Sequence, residues 1–213
     1  MRSLTNLTAF LCLVVALLLV WRQSWPGRLR LFVWQSALLA VLTAHIALFS
    51  GRRGLFAVAG AFALIKVWGI PRALRRIAAG AQVRPVAPGR SAGIPLLVAG
   101  GLVIAAYAII LPVSRTITLP TSDAIPLTFA MALIGLYLCV TGRDAFGQIL
   151  GFLTFENGIF GVALVAAYGL PGIVEAGVFL DVLVIVLIME GLVLRMRREH
   201  DSIAVDRLQD LRG

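Results

Sequence analysis

Along the chain, long apolar runs alternate with short segments that are rich in arginine, proline and glycine. A helix that crosses a bilayer needs about 20 mostly apolar residues. Seven stretches meet that requirement: Leu4–Trp21, Leu31–Ser50, Gly54–Ile70, Gly93–Val113, Ala124–Thr141, Gly147–Tyr168 and Ile173–Leu194. The third is short, consistent with a tilted or partly re-entrant segment, which makes six spans the fallback. Strand-like alternation over ~10 residues, the mark of a membrane β-barrel, is absent from the sequence. The pattern therefore predicts an all-α fold, a polytopic transmembrane helical bundle of about seven spans. Pro26, Pro71, Pro85, Pro88, Pro120 and Pro171 fall between the runs, and Pro95, Pro112 and Pro126 fall in first or last turns. The first run is followed by WRQSWPGR rather than by small residues, so it is expected to stay in the membrane as a span instead of being cleaved.

Composition narrows the class further. The 213 residues are 60% hydrophobic and 14% charged, with a mean hydropathy of +0.97. Soluble domains are nearer 45–50% apolar and about 25% charged. Disorder, a disulfide scaffold and a nucleic-acid-binding domain are excluded together. The lipid bilayer is the expected surrounding. Nineteen Lys and Arg stand against ten Asp and Glu. With seven spans and a cytoplasmic C-terminus, 14 arginines fall on the inner side and 4 on the outer, as the positive-inside rule asks. Trp21, Trp25, Trp34 and Trp68 flank the ends assigned to the inner surface. The expected topology is an N-terminus in the periplasm and a C-terminus in the cytoplasm of a bacterial inner membrane. Cys12 and Cys139 lie in apolar runs without metal or disulfide spacing.

Three organisational parts are expected: a three-helix N-terminal portion with a basic loop (1–92), a helical C-terminal portion (93–195) and a charged cytoplasmic tail (196–213). Within the loop, PRALRRIAAG has the pattern of a short amphipathic helix lying in the interface.

The informative residues are the charged ones inside the runs. Glu156, Asp181 and Glu190 lie within spans, and Glu175 lies at the outer mouth of the last one. An ionisable residue at the bilayer centre costs about 2.5–3.5 kcal/mol on insertion scales and marks an ion or proton pathway by default. The competing reading is that each is neutral and hydrogen-bonded as packing glue between helices. At ~1.5 Å per residue, Glu156 and Asp181 fall near the midplane and Glu190 in the inner third. At ~100° per residue, Asp181 and Glu190 point to opposite faces, while Glu175 and Glu190 share one.

Lys66 is the only lysine in the chain. Arginine stays protonated, whereas a desolvated lysine can release its proton, so a single lysine inside an apolar run fits a selected amine. The alternative is a side chain that snorkels to the inner surface. Lys66 and Glu190 have similar expected depths and are candidates for a pair if their helices are neighbours. His45, near the outer end of the second run, reads better as a packing histidine than as a relay. No GxSxG, HExxH or Walker-type motif is present, and no catalytic centre is expected in this chain.

The run LIGLYLCVTGRDAFGQILGFLTFENGIF, followed by VEAGVFLDVLVIVLIMEGLVLRMRR, resembles the E membrane subunit of hydrogenase-4 and formate hydrogenlyase-type complexes. The C-terminal half of that subunit is in turn similar to the K subunit of respiratory complex I and the C subunit of multisubunit cation/proton antiporters. In this chain the K-like segment is 124–195. The K pattern expects an acid at Leu153; the carboxylate stands three residues on, at Glu156. Glu190 falls where the K subunit has its second buried Glu, and Asp181 belongs to the hydrogenase-type pattern. The resemblance implies a non-catalytic subunit of an oxidoreductase complex, with Glu156, Asp181, Glu190, Lys66 and Glu175 serving proton translocation. Its partners would be antiporter-like and K/H-like membrane subunits and a hydrophilic arm that carries nickel–iron and iron–sulfur centres. No cofactor is expected in this chain. A structural scaffold without a proton path, or a C-type antiporter subunit, are the alternatives.

Overall fold

The computed structural model describes residues 2–80, 93–116, 118–142 and 144–168. The expected seventh span, with Glu175, Asp181 and Glu190, and the charged tail lie outside the described residues, as does the boundary expected between 92 and 93. All described residues belong to one compact unit. Their regular structure is helical, with no strand among them. The order is α1 (Arg2–Trp21), α2 (Trp25–Ser50), α3 (Gly54–Phe62), a π-helical stretch (Ala63–Gly69), α4 (Ile70–Gly80), α5 (Gly93–Ser114), a 3-10 turn (Ser122–Ala124), α6 (Ile125–Thr141) and α7 (Ala145–Ala166). Six helical segments of the described chain are long and apolar enough to cross a membrane. The chain is a membrane protein.

Local sequence explains where the helices begin and end. Pro26 stands in the first turn of α2, where its fixed φ suits a helix start. Gly51 closes α2 at φ 69°, a left-handed position open to glycine at no steric cost. The Asp144 Oδ1 accepts a hydrogen bond from the Gly147 N–H at 2.7 Å and caps α7. The third span differs from its expected bounds. Pro71 does not end it: the rod continues, and the membrane-length segment is Gly54–Arg76. The π-helical stretch stops just before Pro71, so the widened turn lies where the proline ring would otherwise meet the carbonyl of an α-turn. PRALRRIAAG is helical, as expected, and continuous with the span.

The tightest packing is between α6 and α7. A side-chain carbon at Gly151 would collide with the backbone nitrogen of Cys139. One at Gly135 would collide with that of Phe155, and one at Gly158 with the backbone of Ala132. Gly151 and Gly158 are two turns apart on one face, and such small residues let helix backbones approach within a membrane. With that face of α7 closed against α6, other faces of α7 meet α2 and the π-helical stretch. α1 lies against α2, α5 and α6. The helices share one apolar core, with Cys12, Leu39, Ile46, Met131, Ile134 and Leu164 fully enclosed.

Candidate functional site

The core contains a cluster of polar side chains at mid-span. Lys66 lies near the middle of the Gly54–Arg76 rod, and Glu156 lies near the middle of α7, about 17 Å from its start. The Lys66 Nζ is 3.2 Å from the Glu156 Oε2, with side-chain exposures of 0% and 4%. Nζ also donates a hydrogen bond to the Asn157 Oδ1 at 2.9 Å. The Asn157 Nδ2 donates to the Gln35 Oε1 at 3.3 Å and to the Ser36 Oγ at 3.1 Å. The Gln35 Nε2 reaches the Cys12 carbonyl oxygen at 3.4 Å. Side chains from α2, the π-helical stretch and α7 thus meet at one level, and Gln35 ties the cluster to α1. Gln35, Ser36, Lys66 and Asn157 have no solvent exposure.

An aromatic lid covers one side. The Lys66 Nζ is 4.6 Å from the centre of the Phe62 ring, within the range at which a ring face attracts a cation. Phe62 stacks on Phe160 at 4.7 Å. Phe62 precedes Lys66 by four residues and Phe160 follows Glu156 by four. On antiparallel helices these positions share a level, one turn from the ion pair.

The π-helical stretch holds the amine. Its wider turn, closed by a bond from the Ile70 N–H to the Ile65 carbonyl, departs from α-helical spacing, as happens often at functional sites. The arrangement keeps a cation and a carboxylate together in the enclosed centre of the bundle. Such a pair survives because its two charges offset each other and the Asn157 amide oxygen accepts a further bond from the ammonium; removal of one partner would strand the other.

Lys66 does not snorkel to the surface, because its amine is fully enclosed and bound to Glu156 and Asn157. The acid beside it among the described residues is Glu156; the expected partner Glu190 lies outside them. Depth misled that reading. With Pro71 taken as the end of the span, Lys66 seemed one turn from the surface, but the rod runs on to Arg76 and centres it. Leu153, where the K pattern expects an acid, is fully buried apolar core, and the three-residue displacement faces the carboxylate toward Lys66. Gln35 and Ser36 were not foreseen. A glutamine inside an apolar span is itself costly and could have been their signal. His45 lies ten residues past Gln35 on α2, about 15 Å along the axis, and is not part of the cluster. Its Nδ1 has no hydrogen-bond partner among the described residues.

A shallow cavity of about 630 Å³ lies at another place, lined by Arg2, Tyr107, Arg115 and Asp123 among others. It involves none of the residues of the mid-span cluster.

Comparison with known proteins sharpens the family. No family model matches the chain, and no solved structure matches it. Hydrogenase-4 component E of Escherichia coli K12 is 28% identical over 117 residues, which is 55% of this chain and 54% of that protein. The Shigella flexneri protein of the same name gives the same figures. The chain thus spans about half the length of these hydrogenase-4 relatives. The uncharacterized protein Rv0085 of Mycobacterium tuberculosis H37Rv is 35% identical over 202 residues, covering 93% of this chain and 91% of that protein. With that identity over nearly the whole of both, the chain belongs to the same family as the mycobacterial protein Rv0085.

Proposed function

We propose that this protein is a membrane-arm subunit of a hydrogenase-type complex and that the Lys66–Glu156 pair couples proton movement to the work of that complex. The observation that carries the proposal is the enclosed ion pair at mid-span, held at 3.2 Å with almost no exposure. The partial likeness to Hydrogenase-4 component E supports the choice of machine.

The chemistry follows from the geometry. A proton delivered to the Glu156 carboxylate removes the negative charge opposite Lys66. The ammonium then keeps the Asn157 carbonyl oxygen and the Phe62 ring as its remaining described contacts, and its positive charge acts on the surrounding path with less compensation. Loss of the proton restores the pair. Two protonation states of one acid therefore correspond to two electrostatic states of the bundle centre, which is what a coupling element requires. Asp181, Glu190 and Glu175 would extend the path, with Glu190 toward the cytoplasm. The arginine bias supports a cytoplasmic C-terminus in the inner membrane. In this reading the nickel–iron and iron–sulfur centres belong to partner subunits.

The experiment that tests the machine is purification of the tagged full chain from its native membrane in mild detergent. Recovery of a nickel–iron hydrogenase large subunit is the expected result. Recovery of cation/proton antiporter subunits with no nickel–iron protein would assign the chain to that assembly instead.

A further inference from the structure

Beyond the ion pair, the molecule carries a charged face that the proton chemistry does not use. Trp68, Arg72, Arg75 and Arg76 lie at successive i, i+4, i+7 and i+8 positions and share one side of the rod. Ile70 and Leu74, on the opposite side of α4, are 6% and 2% exposed. The three arginines are exposed, and Trp68 is 57% exposed. The Arg72 guanidinium lies 4.4 Å over the Trp68 ring. A row of guanidinium groups at the end of an apolar span suits a membrane–water boundary.

Among the described residues this face meets little counter-charge, and the first acidic residue along the chain is Asp123. Of the described acids, Asp123 lines the cavity with Arg2 and Arg115. Asp144 caps the start of α7, and Glu156 is held by Lys66. Among the described residues, no carboxylate is left for α4. Guanidinium groups match phosphate oxygens two bonds at a time, and basic residues close to the bilayer surface attract anionic lipids.

We propose that the arginine face of α4 binds the phosphate headgroup of an anionic phospholipid. The placement at the end of the Gly54–Arg76 span favours a lipid over a soluble anion. This inference is independent of the proton-coupling reading and rests on the charge and exposure of α4 alone.

The test uses the purified full chain in vesicles of equal phosphatidylglycerol and phosphatidylcholine, with co-purifying lipid counted by native mass spectrometry. The expected result is preferential retention of phosphatidylglycerol. R72Q/R75Q/R76Q should lower that preference by about tenfold or more, since each basic residue at the surface adds about fivefold. R53Q, an exposed arginine at the other end of the same rod, should leave the preference intact. If the triple variant does not purify, R75Q and R76Q singly are each expected to lower the preference severalfold. Equal retention of both lipids by the unmodified chain would overturn the proposal, as would a phosphatidylglycerol preference unchanged in the arginine variants. Displacement of the lipid by millimolar inorganic phosphate would also overturn it, in favour of a soluble-anion site.

Discussion

α5 and α7 are equally long, at 22 residues each, and both are apolar enough to cross a membrane. Their surroundings differ. In α5, 11% of the span is buried within the protein; in α7 the figure is 61%. α5 is the more hydropathic of the two, yet Leu97 and Ile104 are 77% and 72% exposed. In a membrane protein, an apolar face can remain uncovered because lipid serves it as well as a neighbouring helix does. What draws α7 inward is its exceptions to apolarity. The glycines of one face admit the α6 backbone, and Glu156 and Asn157 on another need partners that lipid cannot supply. Glycine itself has two meanings here: Gly100 and Gly101 of α5 have open space around them, whereas Gly151 and Gly158 of α7 lie against another backbone.

The largest effect on this contrast is expected at the α6–α7 seam. Gly151→Leu should prevent the hairpin from closing, since the added atoms meet the backbone at Cys139 rather than a movable side chain. Its cost should exceed the ~1–3 kcal/mol of ordinary overpacking. Yield and thermal melting in detergent measure it, and a melting temperature near that of the unmodified protein would show that the seam is looser than the contacts imply. Next comes the ion pair. Lys66→Met leaves a buried carboxylate without its cation and should cost about 3–5 kcal/mol, while Lys66→Met combined with Glu156→Leu should recover much of that loss. A double variant no more stable than the single would show that the carboxylate is not what destabilises it. The smallest effect belongs to α5, where Gly101→Ala fills open space and should change stability by no more than about 1 kcal/mol, in the stabilising direction. A clear loss there would show that the α5 face is covered in the membrane.

Much of the fold was legible from hydropathy alone, because the need for about 20 apolar residues acts on every span separately. The expected Gly93–Val113 and Ala124–Thr141 differ by one residue at one end from α5 and α6. α2 begins six residues before Leu31, since Pro26 can start a helix and Arg28 and Arg30 need not enter hydrocarbon. The third span was misjudged at Pro71, where a π-helical turn accommodates a residue that normally stops a helix. No composition marks such a turn. For the site, the sequence singled out Lys66 and Glu156 separately, because a charge in an apolar run stands out without knowledge of its neighbours. Their pairing was not legible. Hydropathy says how deep a residue lies but not which helices adjoin, and Gln35 and Ser36 contribute only through that adjacency.

In the proposed role, Glu156 titrates against Lys66 to couple proton movement. Glu156→Gln keeps the shape and much of the hydrogen bonding but cannot take up a proton. In membrane vesicles that hold the assembled parent complex, proton translocation should be measured beside the redox turnover that drives it. Assembly should stay intact while translocation falls at least tenfold, as expected of a residue whose protonation is part of the step. Unchanged translocation in an intact Glu156→Gln complex would contradict the proposed role and leave the pair as a structural tie between α7 and the third span.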